Sequence, residues 1–162
     1  MARNKKPKPE HFTPRIENRR ARHDYHITDT LEVGIKLLGT EVKSIRNGQI
    51  SLAEGFATID PRTSRLMLLN VDISQYPQAG VNQHPPRRPR ILLAHKREIA
   101  QLEGKLTAKG TTLVPLAMYF VRGKAKLLLG LGEGKKTHDK RQDIKTRDAN
   151  RDMRRAMTRK VI

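Results

Sequence analysis

Leu113-Val114-Pro115-Leu116-Ala117-Met118-Tyr119-Phe120-Val121-Arg122-Gly123-Lys124-Ala125-Lys126-Leu127-Leu128-Leu129-Gly130-Leu131 decides the fold. Its first half is a long β-prone run, and Arg122-Gly123 is a hairpin turn. In its second half Ala125, Leu127, Leu129 and Leu131 fall on one face, with Lys124 and Lys126 on the other. That is the period of two expected of a half-buried strand. Working outward, Tyr25, Ile27, Leu31, Val33, Ile35 and Leu37 repeat the alternation, with a turn expected at Asp29-Thr30. Glu32 and Lys36 then point away from the core. Phe56 to Ile59 and Leu66 to Val71 read as two more strands around the turn Asp60-Pro61-Arg62-Thr63-Ser64.

Helical signals are shorter. Thr40 can cap a helix through Ile45 that stops at Gly48, with Lys43 and Arg46 on an exposed face. His95, Ile99, Leu102 and Leu106 give one apolar helical stripe. Between them, Pro77 to Pro89 reads as a long loop carrying Arg87, Arg88 and Arg90 near its exit. About six strands, two or three short helices and no βαβ rhythm predict a mainly β fold. The best match is an antiparallel barrel of the oligonucleotide-binding type.

The barrel is expected over residues 23–132, between a basic arm (1–22) and a basic tail (133–162). The arm holds eight Lys/Arg against two Glu, and the tail eleven against five acids. Each end therefore carries a third of the net +18. Such a field steers polyanions. The glycines Gly132 and Gly134 read as a strain-free exit from the sheet. The tail stripe of Ile144, Ala149, Met153 and Met157 is too thin for an isolated helix in water. Disorder in the free chain and a helix against a partner surface are expected.

The chain has no cysteine, so thiolate metal sites and disulfides are excluded. Its basic N-terminus lacks the apolar stretch of a signal peptide, and no apolar run would span a bilayer. A cytoplasmic protein without a membrane partner is expected. Scattered acids and the absence of a glycine-rich phosphate loop leave no catalytic constellation; no enzyme, metal site or cofactor is expected. Aromatics are only 4% of residues, too few for a base-stacking sheet face. Structured RNA read by shape and backbone is the partner class that remains. Candidate contacts are Asn18-Arg19-Arg20-Ala21-Arg22, Lys43 with Arg46, the loop arginines Arg88 and Arg90, and Lys124 with Lys126. In the tail they are Lys135, Lys136, Lys140, Arg141, Lys145 and Arg147, whose cations suit phosphates, and His138, whose ring can stack on a base.

Four blocks resemble one family. They are Asn-Arg-Arg-Ala-Arg-His-Asp-Tyr at 18–25, Gly-Thr-Glu-Val-Lys-Ser-Ile-Arg at 39–46, Lys-Gly-Thr-Thr-Leu-Val-Pro-Leu at 109–116 and Gly-Lys-Lys-Thr-His-Asp-Lys-Arg at 134–141. In this order they are similar to the bacterial SsrA-binding proteins (small protein B), over roughly residues 18 to 155. The resemblance implies an oligonucleotide-binding-type barrel that binds the tRNA-like domain of transfer-messenger RNA. It implies delivery of that RNA, after charging by alanyl-tRNA synthetase and with elongation factor Tu, to stalled ribosomes for trans-translation. The tail would meet the decoding centre and enter the empty message channel as a helix.

By the same resemblance, Asn18, Glu32 and Lys126 contact the tRNA-like domain, and Leu92 and Leu93 belong to a leucine-rich element beside it. His138 meets the decoding centre, and Asp139, Lys140 and Arg141 form the tail motif. The chain departs from the family pattern at Glu133, where a basic residue is usual, and at Ile91, which replaces a cation. Two rival readings are a ribosomal or initiation-type RNA binder on the same barrel, and an RNA-modifying enzyme.

Overall fold

The computed structural model describes residues 14–107, 110–136, 146 and 148–157. Among them the body holds nine strands and three α-helices. The strands are β1 (Ile16–Glu17), β2 (Tyr25–Ile35), β3 (Ile50–Ser51), β4 (Phe56–Asp60), β5 (Arg65–Leu69), β6 (Asp72–Ile73), β7 (Arg90–Leu93), β8 (Thr111–Val121) and β9 (Lys124–Gly134). The helices are α1 (Arg19–Asp24), α2 (Gly39–Arg46) and α3 (Lys96–Leu106).

All pairings are antiparallel, and the order β8-β4-β5-β7-β2-β9 closes on itself through β8–β9. Six strands therefore form a barrel, as the alternation predicted. Closure removes the unpaired edges that an open sheet would expose. β1 adds to β8 outside the ring, and β3 pairs with β6 alone. The Arg122-Gly123 turn joins β8 to β9 with both residues at positive φ, 49° and 77°, the conformation whose twist matches the strands.

The interior is apolar. Val33, Leu66, Leu68, Leu113, Met118, Leu127 and Leu129 are almost wholly buried, each worth ~1.5–3 kcal/mol over exposure. A second, smaller cluster lies outside the barrel wall. It joins Ala21, Val114 and Leu116 with Tyr25, Ile27 and Leu128.

Two bulges create that outer cluster. In β2 the register shifts between Ile27 and Asp29, and in β8 between Pro115 and Ala117. One extra residue moves the following side chains to the opposite face. Tyr25 and Ile27 thus pack outside, while Leu31 and Val33 pack against the inner core. The turn expected at Asp29-Thr30 is this bulge, inside one continuous eleven-residue strand.

The glycines of β9 serve the same cluster. A Cβ on Gly130 would come within 2.8 Å of Leu116 Cδ1, and one on Gly132 would meet Tyr25 Cβ at 3.0 Å. Gly132 and Gly134 do not open an exit, because both remain paired in β9. Contacts with the barrel reach beyond residues 23–132 at both ends. Asn18 and α1 belong to the body, and the Lys135 amide still donates to the Asp24 carbonyl at 2.9 Å.

Two local expectations change. Glu41, not Thr40, caps α2: its Oε2 accepts the Leu38 amide at 2.7 Å. Gly48, at φ +73°, lies just past the helix as expected. His95 precedes α3 as its N-cap residue instead of lining its apolar stripe. The loop from Pro77 to Pro89 is anchored by His84, which is 1% exposed. Its Nδ1 lies 2.9 Å from Thr40 Oγ1 and its Nε2 3.1 Å from the Ile73 carbonyl.

Candidate nucleic-acid interface

The register of the barrel places four residues in one row across four strands. Leu93 of β7 faces Gly34 of β2, Gly34 faces Lys126 of β9, and Lys126 faces Tyr119 of β8. Glu32 stands two residues before Gly34 on the same outward face. Gly34 is needed here for space. A Cβ there would sit 3.2 Å from Leu93 Cβ, so glycine lets Leu93 lie over the strand.

Glu32 is the electrostatic centre of the row. Its Oε1 lies 3.2 Å from Lys126 Nζ, and its Oε2 accepts a short hydrogen bond from the Tyr119 hydroxyl. The Tyr119 bond, then the Lys126 bond, hold the Glu32 carboxyl below its ordinary pKa. The same bond raises the Tyr119 phenol. Arg15, just ahead of β1, stacks on the Tyr119 ring at 5.2 Å. Glu32, Gly34, Leu93 and Lys126 line a groove of about 920 Å³ that Arg65 and residues of α3 also line. Leu93 is 58% exposed. An exposed leucine beside a paired carboxylate and ammonium offers a stacking or wedging surface with both donor and acceptor at hand.

Other predicted contacts have different positions. Arg90 is fully buried, and so is Glu41. Arg90 Nε donates to Glu41 Oε1 at 2.8 Å, while its two other nitrogens reach the Val71 and Pro86 carbonyls, each at 2.7 Å. Arg88 grips the same carboxylate at 2.9 and 2.6 Å. These arginines fasten the proline-rich loop to α2, and Arg90 cannot reach a phosphate. Burial alone would raise the Glu41 carboxyl; Arg88, the Leu38 amide and Arg90 outweigh it and hold the group low. Burial lowers the Arg90 guanidinium, with Glu41 opposing.

Asn18 is likewise internal. Its Oδ1 accepts the Ala21 amide, and its Nδ2 donates to the Leu52 and Pro115 carbonyls at 2.8 and 2.9 Å. With both Nδ2 protons committed and Oδ1 holding the Ala21 amide, it seats α1 on the barrel. Leu92 points into the core at 3% exposure; of the leucine pair, only Leu93 is presented.

The remaining cations are at the surface. Arg19, Arg20 and Arg22 are exposed on α1, and Arg20 pairs with Asp24 at 3.2 Å. Lys43 lies over Tyr76 at 5.0 Å, and Arg46 over Phe120 at 5.5 Å, so both ride on aromatic rings at the α2 surface. Lys124 is exposed beside the β8–β9 turn. Lys135 Nζ donates to the Arg22 carbonyl at 3.1 Å, and Lys136 is exposed. His138, Asp139, Lys140, Arg141, Lys145 and Arg147 lie outside the described residues. Residues 148–157 are helical and exposed along their length, with Met153 and Met157 55% and 70% exposed.

Tyr119, Arg15 and Gly34 were absent from the sequence prediction. A signal for Tyr119 existed, since a two-residue turn at 122–123 sets position 119 opposite Lys126. Glu41 had no such signal, because its arginine partners lie far along the chain and meet it only in the folded barrel.

A closed barrel with a charge-balanced polar row, an exposed leucine and basic ends defines an RNA-binding protein. Residues 15–159 match the family described as SmpB protein. The chain is 53% identical over 144 residues to the SsrA-binding protein of Acidothermus cellulolyticus, covering 89% of each. It is 47% identical over 161 residues to that of Corynebacterium glutamicum, covering 99% of this chain and 97% of the relative. A solved structure described as "tmRNA-SmpB: a journey to the center of the bacterial ribosome" superposes with TM-score 0.65 at 50% identity, covering 77% of this chain and 87% of the other. The chain belongs to the SsrA-binding protein (SmpB) family.

Proposed function

We propose that this chain binds the tRNA-like domain of transfer-messenger RNA and carries it to stalled ribosomes for trans-translation. It is an RNA-binding protein, not an enzyme. The observation that carries the reading is the outward row of Leu93, Gly34, Lys126 and Tyr119 with Glu32 beside it. A surface meant only for phosphates would gain nothing from an exposed carboxylate. A carboxylate there accepts hydrogen bonds from base edges or 2′-hydroxyls, and Lys126 can turn to the adjoining backbone. Arg19, Arg20 and Arg22 on α1, and Lys124 beside the turn, supply the non-specific attraction.

The basic tail acts separately. Lys136, Lys140, Arg141, Lys145 and Arg147 neutralise ribosomal RNA in a message channel empty of message, with Lys135 at the junction to the body, while His138 and Asp139 meet the decoding centre. Alanyl-tRNA synthetase and elongation factor Tu are pathway partners, and the work is cytoplasmic. Among the described residues no helix is long and apolar enough to cross a membrane.

Competition between transfer-messenger RNA and bulk tRNA, at about 150 mM salt where long-range attraction is screened, tests the reading. Marked preference for transfer-messenger RNA is expected; equal binding would favour a general ribosomal RNA binder. Truncation after Gly134 should leave that preference and abolish peptide tagging. Ala149→Pro, costing about 3 kcal/mol of helix, should abolish tagging alone.

A further inference from the structure

We propose that Tyr119 is a specificity-determining positioning residue: it fixes the Glu32 carboxylate in the orientation that reads RNA hydrogen-bond donors. The inference rests on the function proposed above. Glu32 lies on a long, exposed side chain, which in water samples several rotamers and gives up entropy on binding. Two fixed contacts remove that freedom beforehand. The Tyr119 hydroxyl donates to Oε2, and Lys126 Nζ sits 3.2 Å from Oε1. The two donors are not equivalent. Lys126 is flexible and cationic, so it can leave for a phosphate when RNA arrives. Tyr119 has a rigid ring with a neutral hydroxyl, held opposite Lys126 by strand register and covered by Arg15 at 5.2 Å.

The consequence is a division of labour within one carboxylate. Oε2 remains tied to Tyr119, and Oε1, vacated by Lys126, accepts from the RNA. Each carboxylate oxygen has two lone pairs, so the Tyr119 bond need not break. The ligand chemistry is an RNA N–H or 2′-hydroxyl beside a phosphate. The second oxygen is held in place by protein, which makes the acceptor directional.

A double-mutant cycle on the full chain tests the assignment. Tyr119→Phe removes only the hydroxyl and keeps the ring under Arg15. It should weaken transfer-messenger RNA binding about five-fold, a charged hydrogen bond discounted for its exposure. In a Glu32→Gln background the same change should cost less than about two-fold, because contacting residues couple. Equal losses in both backgrounds, or no loss in either, would overturn the positioning role. In the free protein, a carbon-13 titration of the Glu32 carboxyl should move to higher pH in Tyr119→Phe. Lys126 beside the carboxylate, Arg15 over the Tyr119 ring, and Arg65, His95, Lys96, Glu98 and Glu103 lining the same groove are common to both proteins and cancel. An unmoved titration would also overturn it. If the wild-type chain showed no preference for transfer-messenger RNA, the functional reading itself would fail, whatever the cycle gave.

Discussion

Two carboxylates in this protein each hold cations, and they do opposite things. Glu41 is sealed under α2, where Arg88 and Arg90 close on it and all three tie the proline-rich loop to the body. Glu32 stands on the outer wall, where Tyr119 and Lys126 hold it in view of solvent. The inner cluster costs desolvation and returns a fixed loop. The outer one costs little, stabilises little and remains available to a ligand. Charge type alone therefore does not mark an RNA contact in a basic protein. What matters is whether the partners of a charged group leave it any capacity to exchange them.

The largest test of the contrast is on the inner side. Glu41→Ala leaves a buried guanidinium unpaired and should cost about 3–5 kcal/mol of stability, measured by urea unfolding. The folded fraction should still prefer transfer-messenger RNA. A loss under about 1 kcal/mol would mean that the loop is held by other contacts. Acid sharpens the point. The Glu41 carboxyl is held low in the folded state, so its stabilisation is present above the ordinary glutamate range and fades as pH falls through the lowered value. Glu41→Gln should be less stable at neutral pH and show a flatter acid limb. A variant with the wild-type pH slope would place the acid sensitivity elsewhere.

The barrel was legible in the sequence because Ala125, Leu127, Leu129 and Leu131 recur at every second position, opposite Lys124 and Lys126, and a two-residue turn fixes their partner strand. The bulges were not. Tyr25, Ile27, Leu31 and Val33 keep one parity through the bulge, so simple alternation places them on one face when they lie on two. The packing of the arginine-rich loop exit is hidden in the sequence for a related reason. Arg88 and Arg90 look solvated beside prolines, and their partner Glu41 is separated by 47 and 49 positions. Glu32 and Lys126 were legible as outward residues because each is a polar position between inward apolar ones, Glu32 on the part of β2 beyond its bulge. The seating role of Asn18 was not legible, because the Leu52 and Pro115 carbonyls its Nδ2 reaches lie far away in sequence.

Smaller effects belong to the outer surface. Gly34→Ala should push Leu93 off its position, since the added carbon would meet it at 3.2 Å, and weaken binding without changing the salt dependence. Unchanged affinity would remove Leu93 from the interface. Lys124→Ala should have the least effect. It removes one exposed cation, lowers affinity for all RNAs alike and reduces the salt slope by about 1. A selective loss for transfer-messenger RNA would make Lys124 a reading residue instead.

The most direct measurement is the affinity of Glu32→Ala for transfer-messenger RNA against bulk tRNA, across a salt series. The substitution makes an already cationic protein more so, and counterion release alone would then tighten every complex. The account predicts weaker binding to transfer-messenger RNA, a narrowed preference over tRNA and a melting temperature close to wild type. Tighter binding to both RNAs, with the preference unchanged, would contradict it and leave Glu32 a solvated residue on the barrel wall.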